Sequence, residues 1–185
     1  MSGAARCIAA LAGRRIDADG ADPARFPLSA APLVRQRVTE VLRRERPVAL
    51  VCSGACGADL IALEAAGKLG IRRRVVLPFP PARFREESVM DRPGNWGGLF
   101  DAVIAETEAA GDLVVLHANG GDQAFAAANA AIVEEARSLA AQSALARLLA
   151  IIVWDGAPRG KGDATLGFRE LATAADFEVR EILTG

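Results

Sequence analysis

The sequence predicts an α/β domain in three layers, with helices on both faces of a mostly parallel sheet of about six strands. Three observations carry that prediction. Short apolar runs alternate along the chain with longer segments of helical period. The turns that follow the apolar runs are rich in Gly, Pro and Asp, and no tract resembles a linker, a repeat or low-complexity sequence. With 185 residues, 51% hydrophobic content and no Tyr, the chain can bury one sizeable core made mainly of Ala, Val, Leu and Ile. The expectation is a single domain over residues 1–185.

The elements follow in order. Cys7–Gly13 (CIAALAG) reads as a first buried strand, and RRIDADGADPARFPLS after it is too polar and too rich in Gly and Pro for an element. From Pro32 to Arg46, Val34, Val38, Val41 and Leu42 fall on one helical face. PVALVCSG is the second strand, and Ala58–Leu69 is a helix ended by Gly70. RRRVVLPF is the third strand, closed by Pro78, and a short helix covers Ala82–Val89. Trp96, Leu99, Phe100, Val103 and Ile104 recur at helical spacing up to Gly111, and DLVVLHA is the fourth strand. Asp122 is placed to cap a long helix that turns Phe125, Ala128, Ile132, Ala136 and Leu139 inward. The fifth strand lies at the later end of ALARLLAIIVWDG. Asp163 is placed to cap a last helix with Leu166, Leu171 and Ala175 inward, before a sixth strand, FEVREIL.

Composition excludes several function classes. A net charge of -1 argues against a polyanion as the main partner. The basic residues of Arg35–Arg46 and Arg72–Arg74 read as a solvated helix face and a strand edge. Cys7, Cys52 and Cys56 are too few and too irregular for a disulfide scaffold or a metal site, so buried thiols in a reducing, cytoplasmic setting are expected. CIAALAG is too short for a signal sequence, and no apolar run approaches the ~20 residues of a membrane span. Asp17, Asp19 and Asp22 read as turn formers, so no metal and no cofactor is expected. His117, the only His, has no acid or Ser at nucleophile spacing and reads as structural.

In parallel sheets ligands bind outside the carboxyl ends of the strands. Small and polar residues gather at those ends here: Gly13, Arg14 and Arg15; Ser53 to Asp59; Pro78 and Phe79; His117 to Asp122; and Asp155 to Thr165. The turn Ser53–Gly54–Ala55–Cys56–Gly57–Ala58–Asp59 lets backbone N–H groups approach an anion. It lacks the spacing of a dinucleotide fingerprint and the GK[ST] of a P-loop. Asp59 also suits the first turn of a helix, and Glu64, one and a half turns on, points in another direction. WDGAPRGKGDAT (Trp154–Thr165) reads as a flexible phosphate grip or as a solvated turn with a cap, with Lys161 flanked by glycines. Trp154 is placed either to stack on a base or to cover the sheet.

SGACGADLIALEAA resembles the SGxxxGxD-plus-helix signature of the SLOG superfamily of Rossmann-like domains. That superfamily includes the lonely-guy phosphoribohydrolases and the DNA-processing protein A family. A less characterised SLOG-type group, sometimes fused to nucleotide cyclases or helical repeats, is closer. Its pattern resembles AGRRID, RFP, CGADLIALEAA, VVLPFPPARFREESV, NAAIVEEA and VWDG, in that order, from roughly Gly13 to Gly162.

The resemblance implies binding of a nucleotide or nucleotide-derived molecule. Gly13 and Arg14 would lie near the ligand, and Ser53, Gly54, Gly57, Ala58 and Asp59 would form a phosphate- or ribose-facing turn. Pro78 and Phe79, followed by Phe84, Ser88 and Val89, would supply an apolar wall for a base, or Phe79 and Phe84 would pack in the core. Asn119 and Gly120 would form a second anion-holding loop. Arg15, Trp154, Lys161, Gly162 and Thr165 complete the candidate set. Lonely-guy enzymes carry PGGxGTxxE where this chain has HANGGDQAFAAANAAIVEE, which has no GT and no acid before Glu134 except Asp122.

The leading expectation is therefore a nucleotide-binding sensor domain. The alternative is a hydrolase of an N-glycosidic or phosphate bond, with Asp59 and Glu64 as acid and base. Single-stranded DNA binding fares worst, because the chain is slightly acidic and poor in exposed aromatics. As in many SLOG proteins, a homodimer face is expected, on the Asp122–Gln142 and Trp96 helices.

Overall fold

The computed structural model describes residues 6–144 and 147–185. Six strands, β1 (Cys7–Gly13), β2 (Ala49–Cys52), β3 (Arg72–Leu77), β4 (Leu113–Val115), β5 (Arg147–Trp154) and β6 (Glu178–Leu183), alternate with six helices. These are α1 (Ala31–Glu45), α2 (Ala58–Lys68), α3 (Pro81–Ser88), α4 (Gly97–Ala109), α5 (Gly121–Gln142) and α6 (Ala164–Ala174). The strands form one sheet in the order β4-β3-β2-β1-β5-β6, and every neighbouring pair is parallel. This is the Rossmann-like α/β architecture that the alternation of apolar runs predicts. Leu145 and Ala146, within the stretch that holds the fifth strand, lie outside the described residues, as do residues 1–5.

The sheet explains the composition of β1. Cys7 to Leu11 are all buried, because a central parallel strand is covered on both faces and needs apolar side chains on both. Cys7, Ala9 and Leu11 join the core made with α1, α2 and α4. Ile8, Ala10 and Ala12 join the core made with α5 and α6. Small side chains predominate where the helices come closest. α2 packs against α1, α4 and the sheet at once. Its residues Ala58 to Leu63, Asp59 among them, are consequently all buried.

Two expectations are corrected. Asp122 does not cap α5: the N-cap is Gly120, with no side-chain cap hydrogen bond, and Asp122 lies in the first turn. In α6 the buried residues are Thr165, Phe168 and Ala172, while Leu171 is 41% exposed. Leu166 and Ala175 pack half-buried against the core as expected, Leu171 does not, and Phe168 takes the deep position. Trp96, at the N-cap of α4, is buried as its place in the helical pattern predicts, with its Nε1 donating to Pro93 O (2.9 Å).

The basic run Arg72–Arg74 is neutralised. Arg72 and Arg74 both pair with buried Asp112, Arg74 also with Glu135, and Arg73 with Glu106. Asp17 forms a turn, its Oδ2 accepting the backbone N–H groups of Arg25 and Phe26 (2.8 Å each). All three cysteines are buried free thiols. Among the described residues no helix is long and apolar enough to cross a membrane, and no cluster of His, Cys, Asp or Glu is arranged to hold a metal ion.

Candidate ligand site at the switch point

β1 and β5 are hydrogen-bonded neighbours, yet the chain leaves them for opposite faces, to α1 after β1 and to α6 after β5. Their carboxyl ends therefore open a crevice. Gly13 makes the close approach there possible. A Cβ at this position would lie 2.5 Å from Ala58 Cβ and 2.7 Å from Val153 O, so only glycine lets the first turn of α2 rest against the strand end.

The next residues clamp the glycine turn. Ala58 N–H donates to Arg14 O (3.2 Å) and Ile16 N–H to Cys56 O (3.3 Å). Gly57 has φ 105°, and a Cβ on it would meet Ile16 N at 2.8 Å. Further amides of the turn are engaged too: Cys56 N–H by Ser88 O (3.0 Å), Leu60 N–H by Ala55 O (3.3 Å) and Ala55 N–H by Asp59 Oδ2 (3.2 Å). The segment from Ser53 to Asp59 is thus held by internal hydrogen bonds. Much of its capacity to cradle an anion is already used.

Above this turn is a cavity of about 400 Å³. Asp59, 7% exposed, stands at its inner end with Ser53, Ala55 and Ser88. Burial raises the Asp59 pKa to about 7, against the lowering effects of the Ala55 N–H and the Arg15 charge. A carboxyl that changes charge near neutrality inside a cavity is a candidate functional group. Ser88, 1% exposed, ends α3, and its hydroxyl has no hydrogen-bond partner. Buried polar groups are normally satisfied, so an orphan on a cavity wall is a position where a ligand supplies the missing partner. Leu11, Phe84, Phe125 and Ile132 give the cavity its apolar side.

The outer rim belongs to the loop between β5 and α6. Asp163 caps α6, accepting from the N–H groups of Thr165 (3.0 Å) and Leu166 (3.2 Å). It also receives Arg14 Nη1 at 2.6 Å. Arg14, 2% exposed, donates in addition to Asp155 (2.9 Å) and Ala157 O (2.7 Å). Burial works against Asp163, but the Arg14 hydrogen bond and the backbone donors hold its pKa at about 2. Arg14 therefore anchors the loop from within, and its guanidinium is committed to the protein. Arg15 is likewise held, on Asp91 (2.9 Å) and Glu87 O (3.2 Å). Arg159 and Lys161 are different: both line the cavity, and among the described residues neither side chain makes a salt bridge. Desolvation at the wall, then repulsion from Arg14, lower the pKa of Arg159. Asn129 of α5, whose Nδ2 donates to Ala164 O (2.8 Å), ties the floor to the start of α6.

The cavity gathers Gly13, Arg14, Arg15, Ser53, Asp59, Lys161, Gly162 and Thr165 from the sequence-predicted set. Gly54, Gly57 and Ala58 shape the turn behind it. Phe79 is fully buried, its ring tilted against Phe84 (5.8 Å between centroids) and edge-on to Phe125 (6.1 Å), while Pro78 O accepts from Ala118 N–H (2.7 Å). Asn119 and Gly120 pack against Arg83 instead of facing the cavity. Trp154 is 6% exposed, with its Nε1 donating to Glu181 (3.2 Å), and covers the sheet.

Glu64 is a correction. It faces α1, paired with Lys68 (2.8 Å) and Arg35 (3.2 Å), and does not line the cavity. It stands five positions from Asp59, about 140° around the helix, so the two carboxylates point in different directions. The sequence did not point to Arg159, Phe125 or Asn129, and it placed Ser88 only beside an apolar wall. Arg159 stood two positions from Lys161 in the same loop and was the one legible signal.

A more open depression of about 510 Å³ adjoins the cavity between α5 and α6, sharing Asp122, Asn129 and Gly162. It brings together none of the buried, unpartnered polar groups found in the first. Compared with known proteins, the chain matches no family model and no curated sequence.

Proposed function

We propose that this chain binds a nucleotide or nucleotide-derived small molecule in the cavity at the β1–β5 switch point. The observation that carries the reading is the cavity itself. Its volume of about 400 Å³ suits a ligand of that size, and it combines an apolar wall, buried polar groups and two cations without a salt-bridge partner. The resemblance to the SLOG superfamily points the same way, through the Ser53–Asp59 turn and the Gly13 strand end. Melting curves with a panel of nucleoside monophosphates, cyclic nucleotides, dinucleotides and ADP-ribose test it. Stabilisation by a member of the panel is expected, and a flat panel at millimolar concentration removes the nucleotide reading.

A second reading, hydrolysis of an N-glycosidic or phosphate bond, is favoured by one observation: Asp59 is buried on the cavity wall, where desolvation raises its pKa to about 7. A carboxyl with that pKa can give a proton to a leaving group or take one from water at physiological pH. Release of base or phosphate by the wild type, lost in Asp59→Asn with binding retained, supports turnover. Absence of release across the panel leaves binding alone.

A further inference from the structure

The cavity is polarised along its depth. Its inner end holds the buried groups Asp59 and Ser88 with half-buried Ser53, and its exposed rim carries Arg159 and Lys161. These ends differ in what they can recognise. Ser88 Oγ is buried without a partner, and Asp59 engages one carboxyl oxygen with the Ala55 N–H. Both suit hydroxyl or N–H groups of a neutral ligand moiety. An anion is poorly received there, because the turn amides at Ala55, Cys56, Ala58 and Leu60 are engaged internally and a carboxyl lies beside it. At the rim the balance is reversed. Arg14 and Arg25 are balanced by Asp155 and Asp163, and Arg15 by Asp91. That leaves Arg159 and Lys161 as two cations set against one lining carboxylate, Asp122, a local excess of positive charge.

We infer that the ligand is a phosphorylated, hydroxyl-bearing molecule that enters neutral end first, its hydroxyl groups on Asp59 and Ser88 and its phosphate on Arg159 and Lys161. This rests on the ligand-binding reading of the cavity and deepens it. The glycine turn then supports the neutral end, and the loop between β5 and α6 grips the phosphate. Ser88 becomes a specificity-determining residue.

The test uses the full ¹⁵N-labelled chain, at 19.3 kDa well suited to amide spectra. The probes are inorganic phosphate and ribose 5-phosphate. Phosphate is expected to shift amides in residues 159–165 only, and ribose 5-phosphate to shift those together with residues 53–59 and Ser88. Ser88→Ala should weaken ribose 5-phosphate about five-fold while leaving phosphate unchanged. The doubly substituted Arg159→Ala, Lys161→Ala chain should lose at least about ten-fold for both. Because the Ser88 hydroxyl makes no internal hydrogen bond, Ser88→Ala should fold as well as the wild type.

Phosphate-induced shifts centred on residues 53–59, no shifts with either probe, or an unchanged ribose 5-phosphate affinity in Ser88→Ala would each overturn the orientation. Failure of the nucleotide panel alongside the expected two-probe pattern removes the nucleotide identity and leaves the orientation standing. Nucleotide binding with phosphate shifts on the turn does the reverse.

Discussion

Asp59→Asn offers a direct measure of how far the site departs from ordinary carboxyl chemistry. Burial raises this group from 3.8 to about 7. The unfolded chain therefore ionises at this position above about pH 4, while the folded chain keeps its proton until about pH 7. Over that interval the unfolded state binds fewer protons, and stability falls as pH rises. At about 1.4 kcal/mol per pH unit the full effect is on the order of 4 kcal/mol, of which a window from pH 5 to pH 8 captures about 3 kcal/mol. Asparagine keeps the shape and the acceptor for the Ala55 N–H but does not titrate. Urea unfolding of both proteins across that window cancels the other titrating groups in the difference. The wild type should lose about 3 kcal/mol relative to the variant between the two ends. A difference constant to within about 0.5 kcal/mol would refute the claim that Asp59 is held in a desolvated cavity.

Other perturbations follow from the same geometry. Gly13→Ala places a methyl against Ala58 Cβ and Val153 O and should cost about 3 kcal/mol in urea unfolding. Asp163→Ala leaves Arg14 buried without its closest partner and removes the α6 cap, a loss of about 3–5 kcal/mol read by denaturation. Glu64→Gln should change stability by no more than about 1 kcal/mol and leave any ligand-induced melting shift intact, because its side chain faces Arg35 and Lys68. Ser88→Ala should melt at or above the wild-type temperature in the absence of ligand, since it removes an unsatisfied buried hydroxyl.

The fold was largely legible because its signals are local. The buried run Cys7–Gly13 matches β1 residue for residue, and Asp163 stands at a cap that its own spacing to Thr165 and Leu166 announces. On α6 the spacing placed Leu166 and Ala175 on the packed face, but it also turned Leu171 inward and did not single out Phe168, the deepest side chain of the helix. The loops of the site were legible as loops, since glycines and polar residues cluster where strands end. Which residues face the cavity was not. Arg14 looked like a free cation until Asp155 and Asp163, more than 140 positions away, closed around it. Ser88 looked like the end of a short helix, and its orphaned hydroxyl exists only because α3 packs beside the glycine turn. Glu64 was separable from Asp59 by helical geometry alone, and the structure supplies the partners that hold it away.

The central claim is that the cavity between Asp59 and Lys161 is a ligand site. A crystal structure of the protein grown with a saturating nucleoside monophosphate tests it most directly. The account predicts ligand density in that cavity, with hydroxyl groups on Asp59 and Ser88 and the phosphate on Arg159 and Lys161. Density bound elsewhere, or a cavity filled only by water at saturating ligand, would contradict it.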